Sequence, residues 1–283
     1  MKQQELTLSD RIAQASNHFT ASQKTVARYF LSNKPSAILK TAATIAAEIG
    51  VSESTIVRFA RAIGFESYTQ MQKASQQQYL SEFSFSNRLE QQNIIAQGHE
   101  FYETLMRNEA NAILQMIRPD FMICLDQATD LIINAEKTYV IGSRGSASVA
   151  THIAYNLRYI KSGIIPLVSD SGDWQDQMID CSFGDLVIGI CMPYYTQRTV
   201  DMLQFGKKQG ASILTITDST LSPSYPLSDT AICCGHSFMW SPSAAITVAN
   251  VLLQKVSQSG KPEILERLQK MEKILNLKSP YTR

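Results

Sequence analysis

From Lys137 onward the chain changes rhythm, and that change restricts its fold more than any other feature. Four short runs rich in β-branched and aliphatic residues follow one another: Thr138–Ile141, Ile164–Val168, Leu186–Cys191 and Ser212–Thr217. A weaker fifth run is Thr230–Cys234. Between them apolar residues recur at helical spacing, as in Ser146–Lys161 and Thr196–Gln209. Strands alternating with helices predict βαβ units and a parallel sheet. The strands are almost continuously apolar, as a sheet covered on both faces requires. Ligands of such sheets sit beyond the carboxyl ends of the strands, where the strand order reverses. The loops that begin at Gly142, Ser169, Met192 and Asp218 therefore form the candidate ligand-binding edge. A helix pair, about Pro242–Gln258 and Pro262–Leu275, follows the last strand.

The first part of the chain has no period-two pattern. Residues 9–80 read as helices, one of them about Ser22–Leu31, with a break at Asn33 and Pro35. From Gln76 to His99 the chain is rich in Gln, Ser and Asn, which predicts the tail of a helix and a connector. Helices follow at about Phe101–Ile117 and Phe121–Asn134, with Pro119 between them. The expected organisation is a head over residues 1–80, a connector and linking helix over 81–118, and a body over 119–283. The net charge of +1 divides unevenly. Nine Lys/Arg and five acids leave the head at +4 and the rest at −3. A basic head on an acidic body suits a nucleic-acid-binding head.

Thr41–Phe65 has the spacing of a helix-turn-helix. A small residue, Ala46, stands where the second helix must cross the first. Four residues later Gly50 occupies the tight turn, where a missing Cβ permits positive φ. Ile45, Ile49, Val51, Ile56 and Phe59 supply the shared core, and Ser52 is placed to cap the second helix. Ser52, Glu53, Ser54, Val57, Arg58 and Arg61 are left facing outward. With Thr55 of the same segment they are the candidate contacts to double-stranded DNA. Arg58 and Arg61 suit phosphates and guanine edges. Glu53 can accept from cytosine or simply favour the helix N-terminus. The alternative is an ordinary helical hairpin, or a head that contacts only protein.

The segment Val51-Ser52-Glu53-Ser54-Thr55-Ile56-Val57-Arg58-Phe59, followed by Ile63-Gly64-Phe65, resembles the recognition-helix region of the RpiR family of bacterial regulators. In that family the head precedes a sugar isomerase (SIS) domain. Family-like words continue through Tyr139-Val140-Ile141-Gly142, Gly184-Asp185-Leu186-Val187-Ile188, Ile216-Thr217-Asp218-Ser219 and Ser222-Pro223. The resemblance implies an α/β protein: an all-helical helix-turn-helix domain, then a parallel-sheet αβα sandwich of SIS type. It also implies a DNA-binding transcriptional regulator, cytoplasmic, controlled by a small effector.

SIS domains commonly hold a phosphosugar between a Gly-x-Gly-x-Ser loop and a Ser-x-Ser-Gly-x-Thr loop. Here the first reads Gly142-Ser143-Arg144-Gly145-Ser146, with Arg144 in place of the second glycine. The second reads Met192-Pro193-Tyr194-Tyr195-Thr196-Gln197-Arg198-Thr199 and has lost its Ser-Gly pair. The resemblance places Ser143, Arg144, Ser146, Thr196, Arg198 and Thr199 around the effector. Two arginines suit a phosphate or carboxylate, while Tyr194 and Tyr195 are expected to intrude on the usual sugar. The expected effector is therefore a small anion, a sugar phosphate or another, unless the loops serve only a ligand-independent dimer.

The rival class is a sugar-phosphate isomerase, which needs a carboxylate or other base beside a carbonyl. No glutamate lies between Glu136 and Glu263. His152 and His236, and the cluster Asp170, Asp173, Asp176 and Asp180, are the remaining candidates, and no catalytic residue is assigned. No cofactor or metal is called for: Cys124, Cys181, Cys191, Cys233 and Cys234 form no Cys-x-x-Cys pair and read as reduced core thiols. The longest apolar stretch, near Leu186–Met192, is far below the ~20 residues of a membrane span. Paired reading heads imply a homodimer or homotetramer, held by the body and its C-terminal helices.

Overall fold

The computed structural model describes residues 6–32, 37–38, 40–82, 99–168, 174–235, 241–259 and 262–278. The chain divides into two compact units, residues 1–94 and 95–283. The loop start at Ser169, together with Asp170, Asp173, His236 and residues 83–98 of the expected connector, lies outside the described residues.

The first unit is helical: α1 (Leu8–Ala15), α2 (Ala21–Ser32), α3 (Ala42–Ile49), α4 (Glu53–Ala62) and α5 (Tyr68–Glu82). Several starts have a clear chemical cause. Thr7 and Asp10 form a capping box on α1, Thr41 accepts from the Thr44 amide, and Ser52 accepts from that of Thr55. The core gathers Ile12, Val26, Phe30, Ile45, Ile56, Phe59, Ile63 and Met71, all essentially buried. Phe59 is its hub: its ring lies 5.4 Å from that of Phe19 and stacks at 5.9 Å on Phe30.

The second unit opens with α6 (His99–Leu114) and α7 (Pro119–Asn134). Pro119 does not merely end the first of these; it begins the second, in the first turn where a missing N–H costs nothing. Then come β1 (Thr138–Gly142), α8 (Ser146–Ile160), β2 (Ile164–Leu167), a single turn α9 (Trp174–Gln177), β3 (Leu186–Cys191), α10 (Gln197–Lys208), β4 (Ser212–Thr217) and β5 (Thr230–Cys233). Two helices follow, α11 (Ser243–Ser257) and α12 (Pro262–Lys278).

The five strands are parallel, in the order β2-β1-β3-β4-β5. Alternate residues feed two cores. Val140, Leu186, Ile188, Leu214 and Ile216 pack with α7, α8 and α11 on one face. Tyr139, Ile141, Val187 and Ile213 pack with α10 and Met178 on the other. This double covering explains the continuous apolar strands: every residue of β1 and β3 is buried. The αβα sandwich expected from the strand rhythm is the fold observed.

The sheet order fixes where a ligand can enter. From β1 the chain runs outward to β2, then returns to place β3 on the other side of β1. The loops leaving β1 and β3 therefore diverge to opposite faces and leave a crevice between them. Gly142 ends β1 beneath that crevice. A Cβ there would stand 2.6 Å from the Ser146 carbonyl oxygen and 2.7 Å from the Ala150 methyl, so only glycine lets α8 start this close to the sheet.

Candidate functional site

In the head, the turn between α3 and α4 is made as its spacing demands. Gly50 has φ 68° and ψ 37°, a left-handed conformation that closes α3, and its N–H donates to the Ala46 carbonyl. The Val51 N–H donates to the same carbonyl at 3.0 Å. Ile45, Ile56 and Phe59 are fully buried, and Ile49 and Val51 half-buried, so the inner face of α4 is anchored against α3 and α2.

That anchoring decides which side chains point out. Ser52, Glu53, Ser54, Arg58 and Arg61 are exposed, and Val57 is half-buried. Thr55 differs from the expectation: it is only 8% exposed and its hydroxyl lies 2.8 Å from that of Ser52. It completes the helix cap, which is a local task, because the i+3 position faces back toward the N-cap. Arg58 folds back along α4 to donate to the Ser54 hydroxyl at 3.4 Å, and Arg61 reaches the Glu66 carbonyl at 3.4 Å. Bonds this long are readily exchanged for a phosphate or a base edge.

A clasp on α3 carries no sequence signal. Lys40 holds Glu48 at 2.7 Å, and the Tyr29 hydroxyl donates to Glu48 and receives from Lys40. Hydrogen bonds from Lys40 and Tyr29 hold the Glu48 carboxyl below its ordinary pKa, and Glu48 raises that of Lys40. The Tyr68 hydroxyl and the Gln72 amide both donate to the Lys40 carbonyl. The partners lie 8 to 32 residues apart in sequence, so only the folded chain reveals them.

In the body, the loops leaving β1 and β3 meet. Thr199, in the first turn of α10, donates to the Ser143 hydroxyl at 3.2 Å, and both residues are buried. Ser146 is buried in the first turn of α8, and the half-buried Thr196 is the N-cap of α10, its side chain making no cap hydrogen bond. Arg144 is exposed just ahead of α8, and Arg198 is half-buried in the first turn of α10. Two helix N-termini thus flank the β1–β3 crevice, and the positive end of each helix dipole favours an anion.

Both substituted loops carry backbone strain. Arg144 has φ 54° and Tyr194 φ 65°, the left-handed region that costs a side-chain-bearing residue about 1–2 kcal/mol. Arg144 thus keeps a conformation natural to the glycine it replaces. The tyrosines diverge. Tyr194 is exposed, while the Tyr195 hydroxyl turns toward β4 and donates to Asp218 at 2.9 Å. The strand pattern marks the loop at Asp218 but not its role as an anchor. Asp218 is buried and also receives Thr217 and Ser219; desolvation pushes its carboxyl up despite these donors.

Of the candidate bases, three lie among the described residues. His152 pairs with Asn250 at 2.7 Å, joining α8 to α11, and Asp176 and Asp180 are exposed. Cys181, Cys191 and Cys234 are buried; burial raises the thiols of Cys233 and Cys234 to about 12, so they stay protonated at neutral pH. Among the described residues no helix is long and apolar enough to cross a membrane.

Comparison with known proteins follows this division. Residues 6–82 match the helix-turn-helix domain of the rpiR family, and residues 131–237 match the SIS domain. An HTH-type transcriptional regulator of Clostridium perfringens is 26% identical, covering 74% of this chain and 75% of its own. HexR, an HTH-type transcriptional regulator of Escherichia coli, is 25% identical, covering 76% and 73%. Among solved structures, NanR of Vibrio vulnificus superposes over 97% of this chain and 100% of its own, with TM-score 0.57 and 18% identity. The sugar isomerase domain of an RpiR transcription factor from Sphaerobacter thermophilus covers 61% of this chain and 96% of its own, with TM-score 0.52 and 24% identity. With its helix-turn-helix head and SIS body, this chain belongs to the RpiR family of HTH-type transcriptional regulators.

Proposed function

We propose that this regulator reads operator DNA through α4 and that its affinity for DNA is set by a small anionic metabolite bound between the β1 and β3 loops. One head reads a half-site, and a homodimer reads two half-sites about 34–36 Å apart. Ser52, Glu53, Ser54, Val57, Arg58 and Arg61 form the reading face, Arg58 and Arg61 carrying the charge. Thr55 serves that face by capping it. The cytoplasm, where operator DNA is found, is the working compartment.

The observation that carries the effector reading is the buried Thr199–Ser143 contact at the reversal in strand order. It brings together two helix N-termini from opposite faces of the sheet. Ser143, Ser146, Thr196 and Thr199 then supply hydroxyls, and Arg144 and Arg198 supply charge. A sugar phosphate fits this chemistry, as does a small carboxylate. The V. vulnificus structure is a complex with ManNAc-6P, which favours the first. The reading as a regulator without catalysis rests on the stretch without glutamate between Glu136 and Glu263 and on the engagement of His152 by Asn250. A ligand can change DNA affinity only as far as it prefers one state of the protein over the other.

Calorimetry with a panel of sugar phosphates and small carboxylates tests the site. At least one is expected to bind the wild type and to bind Arg144→Ala more weakly. A binder whose affinity is indifferent to Arg144→Ala, Thr199→Val and Thr196→Val alike sinks the assignment. Turnover of that binder to an isomer would replace the regulator-only reading with an enzymatic one.

A further inference from the structure

The head holds a cavity of its own. It has a volume of about 250 Å³ and lies where α1, the turn after α4 and α5 come together. All of its lining residues belong to the first unit. Two glutamines of α5 fix its frame. The Gln78 side-chain carbonyl accepts from the Leu8 N–H at 3.0 Å, which ties the start of α1 to α5. The Gln70 side-chain carbonyl accepts from the Glu66 N–H at 2.7 Å, in the turn that leads from α4 to α5. Leu6, Leu8, Phe65 and Ala74 are the apolar part of the wall.

Two polar groups of the wall are not satisfied by the protein. Ser75, inside α5, is 6% exposed, and its hydroxyl has no hydrogen-bond partner. A serine within a helix ordinarily donates to the carbonyl four residues back or points to solvent; Ser75 does neither. A buried hydroxyl left in this state is costly unless a ligand or water completes it. Arg11 is the one charged residue of the wall. Its guanidinium lies over the Phe65 ring, 4.8 Å from the centroid, and its Nε reaches the Leu6 carbonyl at 3.4 Å. A Cβ on Gly64 would stand 3.2 Å from one of its terminal nitrogens. Those terminal nitrogens donate to nothing among the described residues.

We infer that this cavity is a second ligand site, in the head, for a small carboxylate bearing a short aliphatic chain. A wall with one positive charge and no acid selects an anion. The guanidinium offers the paired donors that fit a carboxylate, the apolar wall takes the chain, and the Ser75 hydroxyl gains the partner it lacks. Drug-sized sites have volumes of ~300–1,000 Å³, so a ligand of few atoms fits here. A sugar phosphate would set its hydroxyls against the leucines and Phe65, so this chemistry is distinct from that proposed for the β1–β3 crevice, and the inference does not rest on that crevice. The site bears on the reading helix: the Gly64 and Phe65 N–H groups donate to the carbonyls of Arg61 and Ala60 and close α4. An occupant held by Arg11 braces that end of α4 and raises the stability of the head.

Calorimetry and thermal melting of the full chain with sodium butyrate test the inference, with acetate as the same anion without the chain. Butyrate is expected to bind saturably, at least about fivefold tighter than acetate, and to raise the melting temperature of the head. Arg11→Gln is expected to weaken butyrate at least about tenfold. Ser75→Ala is expected to weaken it about fivefold while leaving the unliganded head as stable as before or more so, because an unpartnered hydroxyl is removed. A serine with a purely structural role would not give that pair of effects. If Arg11→Gln unfolds the head, Ser75→Ala decides alone. Arg144→Ala should bind butyrate as the wild type does. No saturable binding overturns the inference. Wild-type affinity in both Arg11→Gln and Ser75→Ala places butyrate elsewhere, the crevice included, and overturns it while leaving the crevice reading intact. Equal affinity for acetate and butyrate overturns the assigned ligand class.

Discussion

The head and the body of this regulator present their proposed functional side chains in opposite ways. In the head they stand on the outer face of α4, and the buried face of the same helix decides where they point. In the body they stand on loops at strand ends, and the strands decide only where the loops begin. The first arrangement is specified by a residue pattern of a few letters. The second depends on backbone conformations and long-range hydrogen bonds that a pattern does not encode. Arg144 and Tyr195 illustrate this: one adopts a glycine's φ, and the other turns to a carboxylate 23 residues away.

Removing the hub of the head core should separate the two units most sharply. Phe59→Ala deletes a fully buried ring that meets Phe19 and Phe30, and is expected to cost the head about 3–5 kcal/mol. Circular dichroism melting should then show loss of the head's helices well before the body unfolds. A single shared transition, lowered as a whole, would mean that the two units unfold as one.

A smaller effect is expected where the head touches DNA. Arg58→Ala should weaken specific binding by about 1–3 kcal/mol and relax the preference at one base pair. Glu53→Gln should change binding by less, because its main task is at the helix N-terminus. Fluorescence anisotropy over a series of salt concentrations separates base contacts from phosphate contacts. Equal losses on specific and random DNA would reassign Arg58 to the backbone.

In the body, strain and recognition can be pulled apart at Arg144. Arg144→Gly is expected to be more stable than Arg144→Ala by about 1 kcal/mol, since only glycine accepts φ 54° without cost. Both variants should lose effector affinity equally. Urea titration and calorimetry on the pair give the two numbers. Equal stability of the two variants would mean that the loop relaxes once the arginine is gone.

The smallest expected effect is a pH dependence. Asp218 binds its proton more tightly folded than unfolded. Its contribution to body stability should therefore be fully present below the ordinary carboxylate range, decline as pH rises from there through the raised pKa of Asp218, and level off above it. Asp218→Asn should flatten that decline. Tyr195→Phe removes a donor to the ionised form and should extend the decline to higher pH. If Asp218→Asn left the pH profile of urea unfolding unchanged, the buried carboxylate would contribute no linkage.

Much of the fold is legible in the sequence. Leu186–Cys191 and Ser212–Thr217 are strands over the residues that their composition marks, and several helices begin at a capping residue or proline. Strand rhythm implies the parallel sheet, because burial on both faces leaves no choice of residue type. The outward face of α4 is nearly as clear, and Thr55 departs from it only because capping competes with outward exposure. The meeting of the β1 and β3 loops is legible in location and not in detail. No local pattern announces that Thr199 meets Ser143 across 56 residues, or that Lys40 ties Tyr29 to Glu48 behind the reading helix.

The central claim is that one chain joins a reading helix to an anion-sensing crevice, and DNA binding with and without effector tests it most directly. Full-length wild type, Arg58→Ala and Arg144→Ala would be titrated onto duplex from the gene's own upstream region, with and without the tightest-binding sugar phosphate or carboxylate. Wild type is expected to bind and to change affinity with effector; Arg58→Ala to lose specific binding; and Arg144→Ala to bind as wild type while no longer responding. An Arg144→Ala protein that responds like the wild type, or an Arg58→Ala protein that binds like it, would contradict the account.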